Sequence, residues 1–219
     1  MSRIAVIGLG RFGFNLTKAL FEAGHEVVAI DQDKEVVQHV KEFSTQAIMA
    51  NAADKDTLIS IGIQEMDTVV VGMGTPLDHS VLVTLYLKEL GVKEVVVKAV
   101  TEDHGKILRA IGATEVVFPE KDMAVKLAKS IGSPNMIDFL ALHPGFSIME
   151  ISPPPGSIGK TLKDLQLRNA QGIQVLAIKE LIPERLNVIP PADFVIKDSD
   201  LLVIMGKDED LRKIVSLSH

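Results

Sequence analysis

Two hydrophobic rhythms divide the chain. From residue 3 to about residue 131, short runs rich in Val and Ile ("RIAVIG", "EVVAID", "QAIMA", "TVVVGM", "EVVVKAV" and "EVVFP") alternate with helix-like segments. Most of these runs are apolar at consecutive positions, so both faces of each strand must be covered, which predicts central parallel strands with helices on either side. The intervening segments carry apolar side chains at helical spacing, as in Phe14, Leu16, Leu20 and Phe21, or Val81, Leu82, Leu85 and Leu90. Gly24, Gly62, Gly91 and Gly112 stand near their ends, where helices commonly terminate. Six β-α units of this kind predict a Rossmann-like, doubly wound parallel sheet of the α/β class.

After Phe118 the rhythm changes. "PEKDMAVKLAKSI" predicts a helix opened by Pro119 and acidic residues, "GSPN" a break, and "MIDFLAL" a second short helix. The domain boundary is expected near Leu142 to Gly145, giving a first domain over 1–142 and a second over 143–219. The second holds four strand candidates, "FSIMEIS", "QVLAIKE", "LNVIP" and "DLLVIMG", with short helices in "GKTLKDLQL" and "DEDLRKIVSL". That is a small α+β unit, with Pro-rich "PPPGS" and "IPPADF" at turns or edges.

Composition narrows the function classes. A net charge of -6 with no Lys/Arg run argues against a nucleic-acid partner, whose electrostatic footprint would be basic. The absence of cysteine removes disulfides, thiolate metal sites and a Cys nucleophile, and fits a reducing, cytoplasmic setting. No apolar run approaches the roughly 18 residues that span a bilayer, and the N-terminus enters its first strand too soon for a signal segment, so the chain is expected to be neither inserted nor exported. The mean hydropathy of +0.25 is high for such a chain, and burial of aliphatic surface between identical subunits is one outlet for it.

The chemistry concentrates in "AVIGLGRFG". Gly8, Gly10 and Gly13 form G-x-G-x-x-G directly after a strand and at the opening of a helix. The first glycine allows the tight turn, the second lets backbone approach a diphosphate, and the third lets helix and strand pack closely. Asp31 ends the second strand eighteen positions after Gly13, where a carboxylate can accept from both ribose hydroxyls and would repel a 2'-phosphate. An adenosine nucleotide without that phosphate is expected, and these residues leave NAD and ATP undivided. There is no G-x-x-x-x-G-K-[ST], which removes a P-loop hydrolase. A dehydrogenase would also need a proton-transfer group in the second domain, where His143, in a turn beside Pro144, is the one histidine before the terminal His219. The cofactor loop thus comes without evident catalytic partners. Arg11 is the discriminating residue, since its fixed charge and bidentate donors suit a terminal phosphate.

"AVIGLGRFG", "AIDQD", "ANAADKDTLISIGI", "VVVGMG", "VVVKA" and "FPEKDMAVKLAKSI" together resemble the RCK (KTN) domains, regulators of potassium conductance, and within them the cytosolic subunits of Ktr-type potassium transporters. The segment from about residue 145, with "LKDLQLRNAQGIQVLAIK" and "IKDSDLLVIMG", resembles the companion RCK C-terminal (TrkA-C) domain. The resemblance implies a non-enzymatic regulator. It implies an octameric ring of paired RCK domains, peripheral on the inner face of the membrane, docked to a potassium-translocating subunit of the KtrB or TrkH kind and switched by ATP and ADP. It implies that Arg11, with Phe12 in the same loop, contacts the phosphates and that Asp31, Gln32 and Asp33 form the ribose side. By the same resemblance Asn51 and Ala52 line the adenine; Met73, Gly74 and Thr75 follow the fourth strand; and Lys98, Ala99, Val100 and His104 contact the nucleotide after the fifth. Glu120 matches a carboxylate that reaches a divalent cation, Mg2+ or Ca2+, between paired subunits, and Arg168, Asn169, Ile173 and Pro190 fall in segments comparable to a cyclic di-AMP pocket. Many relatives carry Gly-Asp-Ala where this chain has Asn51-Ala52-Ala53.

Overall fold

The computed structural model describes residues 1–131 and 136–216, so the "GSPN" break expected at 132–135 lies outside the described residues. The chain divides into two compact units, Met1–Lys121 and Asp122–His219, each with its own sheet and core.

The first unit alternates strand and helix: β1 (Arg3–Ile7), α1 (Arg11–Glu22), β2 (Glu26–Asp31), α2 (Lys34–Val40), β3 (Gln46–Met49), α3 (Lys55–Ile61), β4 (Thr68–Val71), α4 (Leu77–Glu89), β5 (Glu94–Lys98), α5 (Glu102–Ile111) and β6 (Glu115–Val117). All strand pairs are parallel and the order is β3-β2-β1-β4-β5-β6, the doubly wound arrangement that the sequence predicts. The continuous apolar runs have the expected cause. Ala5 and Ile7 of β1 face one core with Leu58, Leu87 and Leu108, while Ile4 and Val6 face the other with Val27 and Val40. Between β1 and β4 the order reverses, so the loops leaving these two strands diverge and open a crevice at their carboxyl ends.

Helix α6 (Pro119–Ile131) forms where "PEKDMAVKLAKSI" predicts it. The next segment differs from expectation: "MIDFLAL" lies in a strand, β7 (Met136–His143), not a helix. Its apolar residues fit either period over so short a stretch. The choice is made by pairing, because the two-residue turn Pro144–Gly145 folds β7 back along β8 (Phe146–Ile151) as an antiparallel hairpin. The segment therefore belongs to the second sheet, and the division between units falls at Lys121 and not near residue 142.

The rest comprises α7 (Leu162–Leu165), α8 (Leu167–Gln171), β9 (Gln174–Leu181), β10 (Glu184–Val188), β11 (Asp200–Lys207) and α9 (Asp208–Ser216). The sheet order is β10-β9-β11-β8-β7, antiparallel throughout. One face is covered, with Ile151, Ile178, Leu202 and Ile204 packing against Leu211 and Ile214 of α9 and Leu165 of α7. Thr161 and Asp164 form a reciprocal capping box that starts α7.

Candidate functional site

The turn from β1 into α1 is shaped by close approach. Gly8 has φ +86°, and a Cβ there would lie 2.8 Å from the Met73 backbone nitrogen; a Cβ on Gly13 would lie 2.0 Å from the Gly8 carbonyl oxygen. Both glycines are demanded by the fold itself. Gly10 is not, because an added Cβ would meet no atom within 4 Å, yet Gly10 lines a cleft. Open space in front of a backbone that packing does not crowd is what an approaching diphosphate requires. Gly10 is also the N-cap of α1, with no side-chain cap and no acidic residue in the first turn, so the amides there and the positive end of the helix remain available to an anion.

Asp31 ties the loop to the end of β2. One carboxylate oxygen accepts from the Leu9 backbone N–H at 2.7 Å and the other from the Asp33 N–H at 2.9 Å. Each oxygen keeps a further lone pair for a ribose hydroxyl. Asp33 turns the other way and caps α2, accepting from Glu35 and Val36. Asn51 fixes its own turn, its side-chain oxygen accepting from the Ala53 N–H at 3.1 Å.

These pieces surround a cleft of about 460 Å³ at the switch point. Its wall includes Gly8, Gly10, Arg11 and Phe12 from the glycine loop, Asp31 and Gln32 after β2, and Asn51 and Ala52 after β3. Met73, Gly74 and Thr75 after β4 complete it, with Lys98 and Glu120. Of the sequence-expected residues, Gly13, Asp33, Ala99, Val100 and His104 are not in the wall. Gly13 is packed under the loop and Ala99 is buried. His104 is 3% exposed and serves the fold: its Nδ1 accepts from the Val100 N–H at 3.3 Å. That places the proton on Nε2, which donates to Ser80 Oγ at 3.0 Å while Ser80 donates to the Leu77 carbonyl. Burial lowers the His104 pKa, keeping the ring neutral. His104 therefore pins the turn that follows Lys98.

Pro76 and His79 line the cleft and are absent from the sequence reading. The signal for His79 was its place in the first turn of α4, since every loop at the carboxyl ends of the strands opens on this crevice. Among the described residues, the Arg11 guanidinium and the His79 imidazole have no side-chain hydrogen bond or ion pair.

Lys98, whose side chain is 13% exposed, reaches across to Glu120 in the first turn of α6 and forms an ion pair with it. The hydrogen bond from Lys98 holds the Glu120 pKa below the ordinary glutamate value. This arrangement does not fit a metal centre within one chain. Glu120 is already neutralised by an ammonium, and among the described residues no three His, Asp or Glu side chains converge on a point.

In the second unit a more open depression of about 630 Å³ gathers Arg168, Asn169, Ile173 and Pro190, with Lys163 and Gln174. The four expected residues thus lie around one hollow although Pro190 is distant in sequence from α8.

Comparison with known proteins agrees with both units. The TrkA-N domain family model matches residues 4–119 and the TrkA-C domain model matches residues 148–219. Ktr system potassium uptake protein A of Bacillus subtilis (strain 168) is 38% identical over 211 residues, covering 96% of this chain and 94% of that protein. Ktr system potassium uptake protein C of the same organism is 40% identical over 209 residues, covering 95% and 94%. Among solved structures, the GsuK RCK domain superimposes with a TM-score of 0.69 at 18% identity, over 99% of this chain and 47% of that one, a likeness of fold.

Proposed function

The chain belongs to the TrkA-N/TrkA-C (RCK) family of potassium-uptake proteins, and from that premise we propose that it is a non-enzymatic, nucleotide-sensing subunit that regulates a membrane potassium-translocating partner. ATP and ADP are its ligands, and their exchange shifts the shape of a ring of copies, octameric by the family resemblance, on the cytoplasmic face. The observation that carries this reading is the cleft at Gly10, where open space, an uncapped helix terminus, an Arg11 side chain without a partner among the described residues and the Asp31 carboxylate converge. Adenosine would lie toward Asp31 and Asn51, and the phosphates toward Arg11 and the start of α1. Two ligands shift a ring only by their difference in affinity for its two shapes. One extra phosphate held by Arg11 supplies about 1–3 kcal/mol per site, a typical coupling energy. No helix of the described residues is long and apolar enough to cross a membrane, in keeping with a role that depends on a separate membrane subunit.

The test is to identify by mass spectrometry the nucleotide that purifies with the chain, to titrate ATP and ADP with and without Mg2+, and to follow potassium flux through the reconstituted partner. Binding of both nucleotides with different flux is expected. Recovery of NAD(H) that ATP does not displace overturns the reading.

A second ligand is proposed for the other unit. The gathering of Arg168, Asn169, Ile173 and Pro190 around one hollow favours cyclic di-AMP there, with Arg168 as the phosphate contact. Equilibrium dialysis should find binding that Arg168→Ala reduces at least tenfold; undiminished binding by that variant removes the proposal.

A further inference from the structure

The cleft has two walls of different character. On the β1–β2–β3 side stand the ribose and adenine candidates; on the β4–β5 side stand Met73, Gly74, Thr75, His79, Lys98 and Glu120. Three side chains in its wall can carry positive charge: Arg11, His79 and Lys98. Lys98 is committed to Glu120. Arg11 and His79 have no partner of their own among the described residues, and they come from opposite sides of the switch point, one from the β1–α1 loop and one from the first turn of α4. α4 has Pro76 at its N-cap and no side-chain cap, so His79 in its first turn sits among amides that also favour an anion.

We infer that His79 is a second contact for the phosphate chain, acting with Arg11 as a clamp from the opposite side of the switch point. The inference rests on the nucleotide reading of this cleft and extends it, because it adds to the phosphate site a donor that no glycine motif marks. An imidazole N–H can donate to a phosphate oxygen, and the amides at the start of α4 favour the same anion. Across the cleft, Lys98 and Glu120 neutralise one another and Asp31 accepts from two amides. On its own helix is Asp78. On α5, Asp103 is paired with Lys106, and His104 is held through Ser80 and Val100. Arg11 and His79 are therefore the side chains in the wall whose donors a phosphate would meet without displacing another group.

The experiment compares wild type with His79→Ala and His79→Lys in the full chain, measuring affinity for ATP and for adenosine by calorimetry. Far-UV circular dichroism with thermal melts confirms that each variant is folded. His79→Ala should weaken ATP about three- to tenfold and leave adenosine unchanged, and His79→Lys should restore ATP binding to within about threefold of wild type. Equal losses of ATP and adenosine in His79→Ala, or no loss of either, overturn the clamp and leave the nucleotide reading in place. Wild type that binds no ATP overturns the nucleotide reading and the clamp with it.

Discussion

Arg11, standing between glycines, raises the question of whether the loop merely holds a nucleotide or distinguishes one from another. Its guanidinium lines the cleft and has no partner among the described residues, whereas each Asp31 oxygen already accepts a backbone N–H that shapes the loop. The two should therefore fail differently. Arg11→Ala is expected to weaken ATP by about ten- to a hundredfold and ADP by clearly less, because a charge-assisted contact to the terminal phosphate is worth roughly 1.5–3 kcal/mol. Asp31→Ala should weaken both nucleotides alike. It should also lower stability by about 1–3 kcal/mol, since the Leu9 and Asp33 amides lose their acceptor. Calorimetric titration and urea denaturation of the two variants separate these outcomes, and equal losses of ATP and ADP in Arg11→Ala would remove the discriminator. At this scale the sequence was legible where placement follows from the chain's path: Gly8 takes the tight turn with positive φ, and Gly10 and Asp31 stand in the wall of the cleft. It was not legible for His104, whose burial against Ser80 depends on how α4 and α5 pack, nor for His79, which no motif marks.

Among the elements, the parallel strands were readable because β1, β2, β4 and β5 are apolar at consecutive positions and recur at regular intervals between helical segments. β7 was not, since "MIDFLAL" satisfies two periods and is decided by its pairing with β8. In the second sheet, β9, β10 and β11 share a charged network that sequence spacing does not reveal. Glu180, 7% exposed, lies opposite Asp200 in register, accepts from Asn187 Nδ2 at 2.6 Å and pairs with Lys197. The hydrogen bonds from Lys197 and Asn187 hold the Glu180 pKa below its ordinary 4.5, and the bond to Glu180 raises the Lys197 pKa above 10.5. The carboxylate's contribution to stability is complete above pH 4.5 and is lost as pH falls through its lowered folded-state value; that of the ammonium is complete below pH 10.5 and is lost at higher pH. Glu180→Gln should therefore narrow the difference in unfolding free energy between pH 7 and pH 3.5. A variant with the same acid sensitivity as wild type would show that the network carries none of it.

At the scale of the whole chain, the two cores share no residue: Leu58, Leu87 and Leu108 belong to the first unit, and Ile178, Leu202 and Ile204 to the second. Two cooperative unfolding steps are expected, with ATP raising only the one that belongs to Met1–Lys121. At a hundredfold excess over Kd the gain is about 2.7 kcal/mol. Differential scanning calorimetry with fluorescence labels on each unit would check this, and a single transition moved as one by ATP would contradict it. The loop held by Asp31 carries a last consequence for tempo. Because the chain's own amides set its curve, an arriving guest finds a berth already made and leaves without undoing it. Under the proposed function, residence would follow the strength of a few polar contacts, letting the protein track a fluctuating pool instead of guarding one molecule for its lifetime.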